Sequence, residues 1–237
     1  MLGPILFLVF MNDIVDDISP IKIRLFADDC VIFNRITCSD DQVRLNGALE
    51  KIQAWSDFNG MELNINKTCY MQFSNKQLVE NFEYSLGNMR LIRVRQLKYL
   101  GVILSEDLGF NKHIASIVAK ASKILFYLHR RLKDSCPEMR KLCYITYVRP
   151  ILEYAGPLWS PSSLKQITAL ENIQRRDAHF VFRDFRKLSS PSAMIDKIGW
   201  PSLQKRRALA DLKLFYQIYY KQVGIDRDAI YREFHAH

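Results

Sequence analysis

Apolar positions recur along this chain in two periods, and the change comes near residue 110. Ahead of it, short alternating runs of the strand type are mixed with helical segments. Pro4 suits the first turn of a helix over about residues 4–15. Its apolar face is wide, so Leu6, Phe7 and Phe10 are expected in a core, against a following hairpin and the helix that carries Trp55. In that hairpin, Ile23, Leu25 and Ala27 would share one face and Arg24, Phe26 and Asp28 the other. A turn at Asp28-Asp29 would put two carboxylates at the tip. Ser39-Asp40-Asp41-Gln42 reads as a capping box. The helix behind it stripes Leu45, Ala48, Leu49, Ile52 and Trp55 at a 3.6-residue period, and Asn59-Gly60 closes it. Residues 61–73 alternate like a strand, with Lys67 among apolar neighbours. Shorter strands are expected over 82–85, 90–94 and 97–104, with a turn at Gly87-Asn88 and a bulge or close backbone approach at Gly101.

Beyond Gly109 the period is helical throughout. Ile114, Ile117, Val118, Ala121, Ile124, Leu125, Leu128 and Leu132 form one long stripe, with Lys112, Lys120, Lys123, Arg130, Arg131 and Lys133 off it. Pro137 opens a second helix to about Val148. Leu164, Ile167, Leu170 and Ile173 stripe a third, and Trp200-Pro201 starts a last one to about Tyr220. The expected organisation is α+β over residues 1–110, followed by an all-helical region over 111–237.

Charge sharpens that division. Residues 1–111 carry 11 Lys/Arg against 14 Asp/Glu, a net of −3, and residues 112–237 carry 23 against 11, a net of +12. An acidic half joined to a basic half suits an enzyme that uses a metal ion and holds a polyanion; the plain alternative is that the basic side chains solvate helix faces. Five scattered cysteines, an odd number with no CxxC pair, point to reduced thiols in an intracellular protein of the nucleus or cytoplasm. They exclude a structural zinc site. The apolar run from Leu2 to Met11 has no basic flank or small-residue cleavage site and is too short to span a bilayer, so neither secretion nor a membrane partner is expected.

Three Asp-Asp pairs occur: Asp16-Asp17, Asp28-Asp29 and Asp40-Asp41. Only Asp28-Asp29 has strand-like sequence on both sides. A hairpin tip of this kind can hold Mg²⁺, which takes one or two protein carboxylates and leaves its other positions to water and phosphate. An ordinary Asp-rich turn is the alternative.

The order of motifs resembles the reverse transcriptases of non-LTR (LINE-type) retrotransposons. Leu2-Gly3-Pro4-Ile5-Leu6-Phe7 with Met11-Asn12-Asp13-Ile14 is similar to the end of motif B, and Phe26-Ala27-Asp28-Asp29 to motif C. Gly60-Met61-Glu62-Leu63-Asn64 with Lys67-Thr68 resembles motif D, and Lys98-Tyr99-Leu100-Gly101-Val102-Ile103-Leu104 with His113 the primer-gripping region. Arg149-Pro150-Ile151-Leu152-Glu153-Tyr154-Ala155, Trp159-Ser160-Pro161 and Gly199-Trp200-Pro201-Ser202-Leu203 resemble the thumb and connection.

The resemblance implies a partial polymerase palm, a carboxylate-tipped β-hairpin with packed helices, and then a basic thumb and connection. It implies template-directed nucleotidyl transfer on an RNA template and a DNA primer with dNTPs. Asp28 and Asp29 would ligate Mg²⁺ or Mn²⁺, and Lys67 would meet the pyrophosphate. Lys98, Tyr99 and Gly101 would position the primer, and Lys112, Lys120, Lys123, Arg130 and Arg131 would track phosphates. In that family a further catalytic Asp comes from motif A, which precedes motif B. This sequence starts inside motif B, so a copy without fingers and motif A, shortened also at its C-terminus and inactive alone, is the expectation. Two readings stand beside it: a basic nucleic-acid-binding relic without catalysis, and a helical scaffold whose charge is solvation only.

Overall fold

The computed structural model describes residues 2–74, 83–161, 163–186 and 188–226. Phe82, at the start of one expected strand, lies outside them, as do the side chains of Asp16 and Asp17. The chain divides into two compact units, Met1–Leu97 and Lys98–His237.

The first unit opens with α1 (Gly3–Asn12) and the short α2 (Ile14–Asp17). Pro4 stands in the first turn of α1, as its fixed φ favours. The burial expected of this helix is corrected. Met11 is its buried residue, Phe7 packs at the edge of the core, and Phe10 touches Trp55 with ring centroids 5.5 Å apart. Leu6 is 61% exposed and Phe10 37% exposed. A helix that is apolar all round has no polar side to turn outward, so the face opposite Met11 meets water whichever way it packs.

The hairpin follows, β1 (Lys22–Phe26) antiparallel to β2 (Asp29–Phe33), with Ile23 opposite Ile32 and Phe26 opposite Asp29. Ile23 is buried, and Leu25 and Ile32 pack on the same core, while Arg24 and Phe26 face out. The alternation read from the sequence is the one observed.

Helix α3 (Ser39–Phe58) buries Ala48, Leu49, Ile52 and Trp55 along the expected stripe. Its cap is shifted by one residue: Cys38 is the N-cap and Asp41 the N3 residue. The Asp41 carboxylate accepts the Thr37 hydroxyl at 2.7 Å and the Thr37 N–H at 2.9 Å, which lowers its pKa to about 2. Gly60, at φ 65°, closes the helix.

The strand expected over 61–73 is mostly absent. Asn64 caps a 3₁₀ turn (Ile65–Lys67) through its side chain, and only β3 (Cys69–Tyr70) is extended; an Asn that can bond its own backbone competes with a ladder. β4 (Ser85–Leu86) and β5 (Met89–Arg90) form a hairpin at Gly87-Asn88, and β6 (Ile92–Arg93) pairs with β3 in parallel.

The second unit takes in a hairpin, β7 (Gln96–Tyr99) with β8 (Val102–Ser105), counted from Lys98 onward. The sequence puts the division near 110, where the period changes; in the structure β8 goes with the helices because Val102 is part of their core. The single strand expected over 97–104 is instead two strands. Leu100 (φ 44°) and Gly101 (φ 85°) both lie in the left-handed region, as the central pair of a type I′ turn must.

Helix α4 (Asn111–Arg131) lays Ile114, Ile117, Ala121 and Leu125 against the remaining helices. These are α5 (Pro137–Cys143), running through a π-helical turn (Tyr144–Val148) into α6 (Arg149–Glu153), then α7 (Leu164–Phe182), α8 (Pro191–Ile198) and α9 (Leu203–Tyr219). Tyr144, Leu152, Trp159, Leu170, Ile173 and Leu203 are fully buried. Tyr144 and Gln174 are paired in this core: Tyr144 Oη donates to Gln174 Oε1 at 3.1 Å, and Gln174 Nε2 donates to the Pro201 carbonyl at 3.1 Å, whereas Trp200 Nε1 and His113 Nε2 are buried without a hydrogen-bond partner among the described residues. The run from Gly199 to Leu203 reads as a helix stop (Gly199 φ 75°), a core Trp, a Ser N-cap and a core Leu. Among the described residues no helix is long and apolar enough to cross a membrane.

Candidate metal-binding hairpin and basic helix face

The tip of the β1–β2 hairpin is one residue earlier than the sequence reading has it. The two turn residues are Ala27 and Asp28, and Asp29 is the first residue of β2, paired with Phe26. Ala27 takes φ 52°, a conformation that costs an L-residue other than Gly about 1–2 kcal/mol. Both carboxylates are exposed, as are Phe26 and Ala27 beside them. The pair therefore retains its hydration and can exchange water for a hard cation without a desolvation penalty. Among the described residues no third His, Cys, Asp or Glu joins it to make a group that could hold a metal ion. Two carboxylates fit Mg²⁺, which keeps several waters, and do not fit a dehydrated four-ligand site.

Lys67 stands on a separate element of the same unit, at the end of the 3₁₀ turn; its side chain is exposed and its N–H donates to Asn64 Oδ1 at 3.2 Å. Of the other Asp pairs, Asp41 is occupied as the cap of α3. Among the pairs whose side chains are described, Asp28-Asp29 is the one whose carboxylates both face solvent at a turn.

In the second unit, Lys98, Tyr99 and Gly101 share one hairpin. Lys98 is exposed and Tyr99 half-buried on β7. The turn is clasped from above: Tyr154 Oη donates to the Leu100 carbonyl at 2.9 Å, and a Cβ on Gly101 would come within 3.2 Å of Tyr154 Cε1. The close approach expected at Gly101 is thus real, and the bulge is replaced by a turn. The hairpin is tied to α4 by the Ile103 N–H, which donates to His113 Nδ1 at 3.3 Å. His113 is buried edge-on to Trp159, centroids 5.2 Å apart, and burial lowers its pKa. Accepting at Nδ1 leaves the ring neutral, with its proton on Nε2.

Lys112, Lys120, Lys123, Arg130 and Arg131 are all exposed on α4. At 3.6 residues per turn they fall within an arc of about 140°, centred opposite the buried stripe. Two residues that the sequence reading passed over lie in the same arc. Phe126 is 65% and Tyr127 57% exposed. The Arg130 guanidinium lies 5.9 Å from the Phe126 ring centroid, and Arg131 5.5 Å from that of Tyr127. The signal was present in the sequence, since neither aromatic fits the stripe of Ala121, Leu125 and Leu128. A face that alternates cations and outward rings can neutralise phosphates and stack bases at once.

Residues 1–104 match the family described as Reverse transcriptase (RNA-dependent DNA polymerase). The chain is 27% identical over 169 residues to the Retrovirus-related Pol polyprotein from type-1 retrotransposable element R1 2 of Nasonia vitripennis, covering 66% of this chain and 41% of that protein. It is 25% identical over 187 residues to the RNA-directed DNA polymerase from mobile element jockey of Drosophila funebris, covering 74% of this chain and 20% of that one. The chain thus spans less than half the length of these relatives. No solved structure matches it.

Proposed function

We propose that this chain, which matches the reverse-transcriptase family over residues 1–104 and is similar to an RNA-directed DNA polymerase of a mobile element, is one part of a template-directed nucleotidyl-transfer machine. The observation that carries the reading is the hairpin: Asp28 and Asp29, exposed around a turn that Ala27 holds at positive φ, within the matched residues.

Asp28 and Asp29 hold a divalent cation, Mg²⁺ or Mn²⁺. When bound, such an ion stabilises charge on the oxygens of a phosphoryl group under attack. Lys67 supplies a cation, and a proton, to a departing pyrophosphate. Lys98 and the Leu100-Gly101 turn steady a primer strand, and the α4 face binds the phosphates of template and primer. With two carboxylates rather than three among the described residues, the site is incomplete for two ions, so the chain alone does not extend a primer at a measurable rate.

The test has two arms. Mn²⁺ binding to the whole chain, followed by electron paramagnetic resonance, should be weak and should disappear in Asp28→Asn. Joining an upstream reverse-transcriptase segment that carries a further catalytic Asp should give primer extension, which Asp28→Asn abolishes and Asp40→Asn spares. Extension that persists with Asp28→Asn sinks the catalytic assignment. The α4 face supports a second reading, nucleic-acid binding without catalysis; it stands if the joined protein binds a primer–template and never extends it.

A further inference from the structure

A second basic site lies away from the α4 face, where α7 gives way to α8. A cleft of about 640 Å³ opens there, lined by Phe182, Arg183, Asp184, Phe185, Arg186 and Lys197 among others. Its size is in the range of small-molecule sites, and its lining carries three cations against one carboxylate.

That carboxylate is committed within the loop. Asp184 Oδ2 accepts Arg186 Nη2 at 2.8 Å, and Asp184 Oδ1 accepts Arg186 Nε at 2.9 Å and the Arg186 N–H at 3.2 Å. These bonds hold its pKa well below the usual carboxylate range. The Asp184–Arg186 pair is neutral overall, which leaves Arg183 and Lys197 as the cleft's net charge. Arg183 follows the end of α7 at φ 53° and is exposed. The Lys197 ammonium sits 5.3 Å from the Phe182 ring centroid, which fixes it at the wall.

The third feature is an aromatic ring with one side covered. Phe185 stacks on His179, centroids 6.2 Å apart and planes 21° from parallel, yet is 66% exposed. His179 is itself locked, since Nδ1 donates to the Asp184 carbonyl at 2.6 Å. Phe185 lines the cleft and keeps much of its ring open to solvent beside two cations.

We propose that this cleft takes one nucleotide of a single-stranded nucleic acid, its phosphate between Arg183 and Lys197 and its base on Phe185. The proposal rests on the reading of the helical unit as nucleic-acid binding, and it adds a place where a strand is gripped nucleotide by nucleotide rather than tracked by charge alone. Stacking is indifferent to base identity, so the grip has no strong sequence preference.

The test uses the full chain and fluorescein-labelled 12-mers of oligouridylate and oligothymidylate, with binding followed by anisotropy over a salt series. Arg183→Asn with Lys197→Gln removes both cations, and Asn tolerates the left-handed backbone; Phe185→Leu removes the stack. The double variant should bind about 10-fold more weakly at moderate salt. Its slope of log affinity against log salt should be shallower by about 0.7, since the one phosphate held between the two cations contributes about that much on a single strand. Phe185→Leu should also lose about 10-fold with its slope unchanged, and the control Lys165→Gln should match the unsubstituted chain. Circular dichroism should show all variants folded. If both cleft variants stay within 2-fold of a chain that binds steeply with salt, the cleft proposal is overturned and the α4 reading survives. If the unsubstituted chain binds neither oligonucleotide, both fall. Competition by inorganic phosphate as strong as that by uridine 5′-monophosphate, with Phe185→Leu silent, overturns the nucleotide assignment in favour of a bare anion site.

Discussion

The two units reach a folded state by different means. In the second, one continuous core runs through β8, α4, the π-helical turn, α7 and α9, with Tyr144 and Gln174 hydrogen-bonded inside it. In the first, two smaller clusters serve α3: one with α1, α2 and the β1–β2 hairpin, the other with β4 and the residues after β5. Much of α1 meets water; Leu2, Ile5, Leu6, Leu8 and Val9 are each more than half exposed. Exposed apolar area on this scale marks a surface that does more than solvate. The basic faces proposed to bind nucleic acid stand on one continuous core, whereas the carboxylate hairpin stands on a smaller one.

The comparison can be broken most sharply at the cores. Trp159→Ala should destabilise the second unit by about 3–5 kcal/mol, as for other fully buried aromatics. Phe7→Ala should cost the first unit about 1 kcal/mol, because Phe7 is only partly buried. Denaturant melts of the two variants check this, and equal losses would show that the first unit packs as tightly as the second.

Next in size is the α4 face. Replacing Phe126 and Tyr127 together with Ala should weaken single-stranded RNA binding by about 1–3 kcal/mol for each base unstacked. Replacing Arg130 and Arg131 should flatten the salt dependence as well. An aromatic double variant that binds like the unsubstituted chain would reduce the face to charge alone.

A smaller effect concerns pH. Burial holds His113 below its ordinary 6.5, so the unfolded chain takes up a proton more readily than the native ring does. Its contribution is constant above about pH 6.5 and stability falls as pH drops below that value. The thermal midpoint should therefore decline between pH 7.5 and pH 5, and decline less in His113→Gln. The smallest change expected is at the hairpin. Ala27→Gly relieves the left-handed strain and adds backbone freedom to the unfolded chain, for a net gain of about 0.5 kcal/mol in a thermal melt.

How legible all this is in the sequence depends on whether a segment carries contrast. The stripes of α3 and α4 alternate apolar and charged positions, so both their existence and their buried faces can be read directly. α1 has no such contrast, so its existence is legible and its buried face is not. The turn at Ala27-Asp28 reads one residue late and that at Leu100-Gly101 reads as a bulge, for a different reason. Each holds Ala or Leu at positive φ, where a reader looks for Gly or Asn. The Asp28-Asp29 pair stands out through its flanks. The cleft at Arg183 depends on a loop folding back on itself through Asp184, which no period announces.

The clasp of Tyr154 on the Leu100-Gly101 turn sets an order of events. A two-stranded hairpin is marginal by itself in water, and this one is held by a hydroxyl 54 positions further along the chain. During synthesis β7 and β8 emerge well before α6 does, so they acquire lasting form only when the helical core arrives to hold them. The long loop that must close first makes this a slow contact.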